Sequence, residues 1–308
     1  MNKKALLRIP LAKLMDLKID YAFKQLFGSE KNKEITVVFL NAILKRTGRD
    51  MIRDISFQNI EIGGEYEEDK QSRLDLLVKT EADEWINVEI QFTNKYDMIK
   101  RSMYYWSRLY SRQMKQGMVY KQLNPVIAIN IMNFDLFDQS ELFHSTYHLY
   151  EDTEKTKLTD LMEFHYIEIP KLLRDWKAEK LDPWNDVLAR WLLLLGIVDH
   201  RKKTVYEDIY KELEAIAMKD ERLLDAFTQW QELSLSDEQY QAYEGRLKRI
   251  LDEEATVIEA KLREEEAVFN SRKATAVVLL KNGVALDLVV EASQLTREQV
   301  VKIQQELQ

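Results

Sequence analysis

An α/β domain followed by an all-α region is the fold class that this chain of 308 residues predicts. Three observations carry it. Residues 73–79 and 85–91 alternate apolar and polar side chains on either side of a short polar turn, the pattern of a β-hairpin. Residues 126–131 form a nearly unbroken apolar run after Pro125, which suits a strand covered on both faces. Beyond about residue 180 the spacing is helical throughout, and only 8 Gly and 4 Pro interrupt the whole chain.

Residues 16–47 read as two helices, with Leu17, Tyr21, Leu26 and Phe27 on one apolar stripe and Ile35, Val38, Phe39, Ala42 and Ile43 on the next. Alternation over 52–62 predicts a strand, Gly63 and Gly64 a turn, and 65–69 an acidic loop leading into the hairpin. A long amphipathic helix is expected over 96–116, closed by Gly117. Strands are expected at 144–150 and 164–169, and Pro170 and Pro183 place a domain border near 180. Thr204 with Glu207, and Ser236 with Gln239, have the spacing of capping boxes. A charged helix over 236–272 offers a solvated or partner-binding face, and 274–308, with Thr296 capping its last helix, resembles a helix-turn-helix. Helix packing or self-association explains that ending better than DNA reading, since its last helix mixes Arg297 and Lys302 with Glu298 and Glu306.

Composition bounds the chemistry. With no cysteine, thiolate metal sites and a cysteine nucleophile are excluded, and a cytoplasmic location is the expectation. Pro10, Lys13, Asp16, Lys18 and Asp20 break up the opening stretch before it reaches signal-peptide form, and the longest later apolar run, 191–198, is far short of a membrane span. The net charge of −8 is uneven: residues 1–150 hold 22 basic and 20 acidic side chains, about +2, while residues 151–308 hold 23 and 33, about −10. Any contact with a polyanion therefore belongs to the first half.

On a regular hairpin Asp75, Leu77 and Lys79 share one face, and Asn87, Glu89 and Gln91 share the matching face of the partner strand. Asp75, Glu89 and Gln91 then converge. Two carboxylates so close are costly unless a cation or protons compensate, and hard oxygen donors, with the backbone carbonyl of Ile90 between them, suit Mg²⁺ or Mn²⁺. Such an ion polarises a phosphodiester and activates water, which Gln91 would orient. On the expected helix 96–116, Arg101, Arg108, Arg112 and Lys115 fall at spacings of 7, 4 and 3, one face for phosphates, with Tyr104 and Tyr105 beside it. Trp106, Leu109 and Tyr110 are assigned to the core. His144 and His148 lie on a predicted strand with no third ligand near, so metal use there is discounted.

An acidic residue, a hairpin and E-x-K form the signature of the PD-(D/E)XK nucleases. The segment RLDLLV at 73–78 followed by NVEIQ at 87–91, with Gln in the Lys position, resembles their branch of Rpn recombination-promoting nucleases and transposases. So do DYAFKQLFG at 20–28, KRSMYYWSRLYSRQMKQGMVYKQL at 100–123 and PVIAINIMNF at 125–134. The resemblance implies a restriction-endonuclease-like core, a mixed sheet flanked by helices, at residues 1–180 with a helical region at 181–308. It implies metal-dependent cleavage of DNA, Asp20 on the first helix as a further metal ligand, and Lys24 one turn later near the DNA. Lys79 is expected to stand in for the missing lysine. The rival readings are a nuclease fold kept for DNA or protein binding without catalysis, favoured by Gln91, and a homo-oligomer built through the C-terminal helices. A chain ended near residue 232 is expected to keep the catalytic domain intact.

Overall fold

The computed structural model describes residues 9–59, 61–62, 72–93 and 97–307. The expected Gly63–Gly64 turn, the acidic loop 65–69 and the start of the helix at residue 96 lie outside them. The chain opens with α1 (Asp20–Phe27) and α2 (Lys33–Ile43), then β1 (Ile55–Phe57), β2 (Glu61–Ile62), β3 (Ser72–Arg73), β4 (Leu76–Thr80) and β5 (Trp85–Gln91). After α3 (Met98–Arg112) come β6 (Val126–Met132), β7 (His144–Tyr147) and β8 (Met162–Glu168). The second half runs through α4 (Ile169–Lys177), α5 (Val187–Gly196), β9 (Val198–Asp199), β10 (Thr204–Val205), α6 (Glu207–Ala217) and α7 (Glu221–Leu235). It ends with α8 (Asp237–Lys281), α9 (Leu286–Ser293) and α10 (Arg297–Glu306).

Among the described residues six strands form one mixed sheet in the order β1-β4-β5-β6-β8-β7, antiparallel at the hairpin and parallel across β5, β6 and β8. Parallel neighbours need cover on both faces, which is why all of β6 is buried. α3 covers one face, and Trp106 on it donates from Nε1 to the carbonyl of Val126 at 2.8 Å. Phe23, Phe27, Phe39 and Trp191 pack ring to ring with centroids 4.5–6.3 Å apart, joining α1, α2 and α5. Gly28 ends α1 because a Cβ there would lie 2.7 Å from the carbonyl oxygen of Lys24.

The hairpin departs from its expected form at one point. Arg73 and Leu76 belong to separate strands, with Leu74 between them outside either and the backbone bent at Asp75. Leu74 therefore joins Leu77, Tyr105, Leu109 and Val126 in a single core cluster, instead of lying on the opposite face from Leu77. Thr204 lies in β10 and caps nothing; α6 starts from Tyr206.

The chain divides into two compact units, residues 1–248 and 249–308, so the boundary is not near 180. Pro170 and Pro183 punctuate the chain without ending the domain, because α5 and α7 pack on α2 and α7 packs on α1. In the second unit the end of α8, α9 and α10 share a small core of Ala276, Val289, Leu295, Val300 and Ile303. The expected capping box at Thr296 and Gln299 is present, and Arg297 is paired with Asp287. No helix among the described residues is long and apolar enough to cross a membrane.

Candidate active site

Register decides the site. Leu76 faces Val88 and Leu77 faces Asn87 across the hairpin, which continues to Asp75 opposite Glu89. The bend at Asp75 frees its backbone and side chain to lock onto β5. Its N–H donates to Glu89 Oε1 at 3.3 Å, and the N–H of Ile90 donates to Asp75 Oδ2 at 3.0 Å. Asp75 and Glu89 thus lie side by side, with Glu89 wholly buried.

Each carboxylate has a cation beside it. Lys24 Nζ on α1 lies 3.0 Å from Asp75 Oδ1, and Arg101 Nη2 on α3 lies 3.1 Å from Glu89 Oε2. Arg101 Nη1 also donates to Gln91 Oε1 at 3.0 Å. Burial dominates nonetheless. It pushes the Glu89 carboxyl up to about 8, reinforced by the charge of Asp75 and opposed by Arg101. Burial also raises Asp75, against the pull of Lys24 and with a push from Asp20.

The donor set fits a hard divalent cation. Two carboxylates whose ionised forms are disfavoured, Glu89 wholly buried and Asp75 nearly so, gain most when a cation replaces their protons, and oxygen ligands are what Mg²⁺ and Mn²⁺ take. Asp75 and Glu89, side by side, could hold one, with the Ile90 carbonyl as the third donor that the sequence suggests. Asp20 is turned elsewhere: Arg246 Nε donates to both of its carboxylate oxygens, at 2.8 and 3.0 Å. Among the described residues no group of three or more His, Cys, Asp or Glu is assembled that could hold a metal ion.

Several expected DNA contacts lie elsewhere. Arg101 points inward to the hairpin, away from the solvent face it was to share with Arg112 and Lys115, because the buried Glu89 beneath it needs a countercharge. Tyr105 is buried in the core cluster, with the Arg101 guanidinium 5.2 Å from its ring centre. Lys79 pairs with Asp83 across the hairpin turn, so it does not replace the missing lysine; Lys24 is the lysine at Asp75. Arg108 is half-buried and Arg112 exposed, and α3 stops at Arg112, which leaves exposed Lys115 in the turn beyond it. Of the residues assigned to the core, Leu109 is buried, whereas Trp106 and Tyr110 stack on each other half-exposed.

The sequence also hid His165. It sits between β7 and its own strand neighbours, with Nδ1 2.8 Å from His144 Nε2 and Nε2 2.6 Å from Glu163 Oε1, and Glu163 pairs with His148. Burial and His165 push His144 down to about 3. The pairing is across strands, so no local spacing announces it.

Neither the curated proteins nor the solved structures yield a match to this chain. A family model described as PD-(D/E)XK nuclease family transposase matches residues 17–260, a span that takes in α1, the whole mixed sheet and the first turns of α8. With its mixed sheet, its flanking helices and the Asp75–Glu89 hairpin all inside that span, the chain belongs to the PD-(D/E)XK nuclease family transposases.

Proposed function

We propose that this protein is a Mg²⁺- or Mn²⁺-dependent DNA endonuclease that hydrolyses phosphodiester bonds in a recombination or transposition setting, in the cytoplasm. One observation carries the reading: two neighbouring carboxylates, Glu89 wholly buried on β5 and Asp75 nearly so in the bend before β4, tied together by backbone hydrogen bonds and both raised above their ordinary values. A divalent ion at Asp75, Glu89 and the Ile90 carbonyl would polarise the phosphate and lower the pKa of water. Gln91 orients the attacking water through its amide, Lys24 meets a phosphate oxygen beside Asp75, and Arg112 and Lys115 steer the duplex from the solvent side. Asp20 becomes a further ligand only when Arg246 releases it.

The catalytic unit comprises α1 through the first turns of α8, and residues 249–308 serve assembly. Leu251, Ile258, Leu262 and Phe269 are exposed along α8, and pairing with a second copy would cover them.

Plasmid nicking tests the reading. Mg²⁺ or Mn²⁺ should convert supercoiled to open-circular DNA, and Asp75→Asn and Glu89→Gln should each abolish this while melting cooperatively. A second reading, a nuclease fold that binds DNA without cutting, is favoured by Lys24 and Arg101 already neutralising both carboxylates. Calorimetry separates the two: absence of Mn²⁺ binding that depends on Asp75 supports the second.

A further inference from the structure

We infer that Arg101 is a catalytic residue that supplies, from α3, the phosphate-facing positive charge that E-x-Q lacks; the inference rests on the nuclease reading above. In E-x-K the lysine follows the glutamate by two residues, so both emerge on one face of the strand. Here that position is the neutral Gln91. Arg101 occupies the gap from another element, one terminal nitrogen on Glu89 Oε2 at 3.1 Å and the other on Gln91 Oε1 at 3.0 Å.

The guanidinium is also left with a donor to spare. Its Nε is buried and has no hydrogen-bond partner among the described residues, and a buried N–H without an acceptor is costly, so an acceptor that arrives with the substrate would relieve it. A phosphodiester oxygen fits, because the planar fork of arginine matches phosphate geometry. The arm that presents it is fixed. Ser102, the next residue, accepts on Oγ from Asn130 Nδ2 at 2.9 Å, and Asn130 stands in register with Glu89 on the neighbouring strand. Tyr105, one turn on, lies against the guanidinium. A side chain serving only to neutralise Glu89 needs neither the second contact to Gln91 nor an unfilled donor.

Single-turnover cleavage of plasmid DNA by the full-length protein with Mn²⁺, from pH 6 to 9.5, tests this. Arg101→Met should slow cleavage by about 10²- to 10³-fold at every pH, the scale of losing one transition-state donor. Its affinity for a duplex oligonucleotide in EDTA should change by less than about threefold, because one phosphate contact among several is lost. Arg101→Met combined with Gln91→Lys, which restores the charge from β5, should regain at least about tenfold of the rate. Arg101→Gln, which keeps a donor for Glu89, should be as slow as Arg101→Met and serves where the Met variant fails to fold. A rate within threefold of the parent in either variant overturns the inference. So does recovery to the parent rate at high pH, which would mean Arg101 only keeps Glu89 ionised, or a folded double variant with no regained rate. A parent protein that does not cleave at all sinks the nuclease reading instead.

Discussion

Arg246 on α8 grips Asp20 on α1 through Nε, at 2.8 and 3.0 Å from its two carboxylate oxygens. The grip is one of several that fasten the late helices to the segment entering α1. Tyr21 Oη donates to Gln239 Oε1 at 2.6 Å, and Tyr243 Oη accepts from the N–H of Asp16 at 3.0 Å. Trp230 Nε1 donates to the carbonyl of Met15 at 2.9 Å, and Ser234 Oγ accepts from its N–H at 3.1 Å. The helices from α5 to the start of α8 are thus part of the unit that holds the site.

A chain ended near residue 232 should therefore lose its cooperative fold, contrary to what the sequence alone leads one to expect. It lacks Ser234, Tyr243 and Arg246, and removes hydrogen-bond partners from the buried Met15 and Asp16. A chain ended at residue 260 should melt cooperatively and nick plasmid at close to the full-length rate. Thermal melts by circular dichroism decide both, and a folded, active 1–232 fragment would contradict the assignment.

Tyr243→Phe isolates one of those contacts. The buried N–H of Asp16 loses its acceptor, which costs about 1–3 kcal/mol. Urea unfolding should show a lower midpoint with an unchanged slope; an unchanged midpoint would mean that water or another group takes the place of the hydroxyl.

Metal-free stability should fall with rising pH. The Glu89 carboxyl titrates near 8 when folded against an ordinary value of 4.5, so the folded state holds the proton more tightly than the unfolded chain. That contribution is complete below about pH 4.5, declines through the interval, and is gone above about pH 8. Asp75 shifts in the same direction and adds to the slope. Scanning fluorimetry from pH 5 to 8.5 should show a falling Tm that flattens in Glu89→Gln. Mn²⁺ should lift Tm more at pH 8.5 than at pH 5.5, because it competes with protons for the same oxygens. A pH-independent Tm in the parent would remove the electrostatic basis of the site.

The pairing of Asp75 with Glu89 was legible because alternation with period two fixes which side chains share a face, and an apolar partner face fixes the register. What alternation could not reveal is the bend at Asp75, which lets its carboxylate reach the N–H of Ile90. Helical spacing put Arg101 and Arg108 on one side of α3 but could not say that a buried carboxylate waited under Arg101 alone. Lys79 lies on β4, the strand that follows Asp75, yet an aspartate four residues on captures it locally. The late domain boundary was hidden for a different reason. The acidic surface of the second half reads as a separate tail, while the contacts that join it to the segment before α1 run through single buried groups such as Trp230 and Tyr243.

Lys24→Met should change metal binding and catalysis in opposite directions. The ammonium, 3.0 Å from Asp75, repels an arriving cation and competes for the same carboxylate. At pH 8.5 the variant should bind Mn²⁺ about tenfold more tightly by calorimetry, one unit of the Coulomb cost at a partly exposed site. Its nicking rate should nevertheless drop about tenfold or more, since the phosphate loses a charged partner. Weaker Mn²⁺ binding would show that Lys24 holds the site open and does not compete for it.

Arg112 and Lys115 are the residues of the expected basic face that are exposed, so their effect should be electrostatic and general to any sequence. Each replacement by Ala should weaken duplex binding and reduce the slope of log K against log salt by about 1, the release of roughly one counterion per phosphate contact. Tyr105→Ala should behave differently, because its ring is 4 % exposed within the cluster of Leu74, Leu77, Leu109 and Val126. It should lower stability by about 3–5 kcal/mol and leave the salt slope of the surviving folded protein unchanged. Fluorescence anisotropy at several salt concentrations separates these outcomes, and an unchanged slope in both exposed variants would place the DNA on another surface.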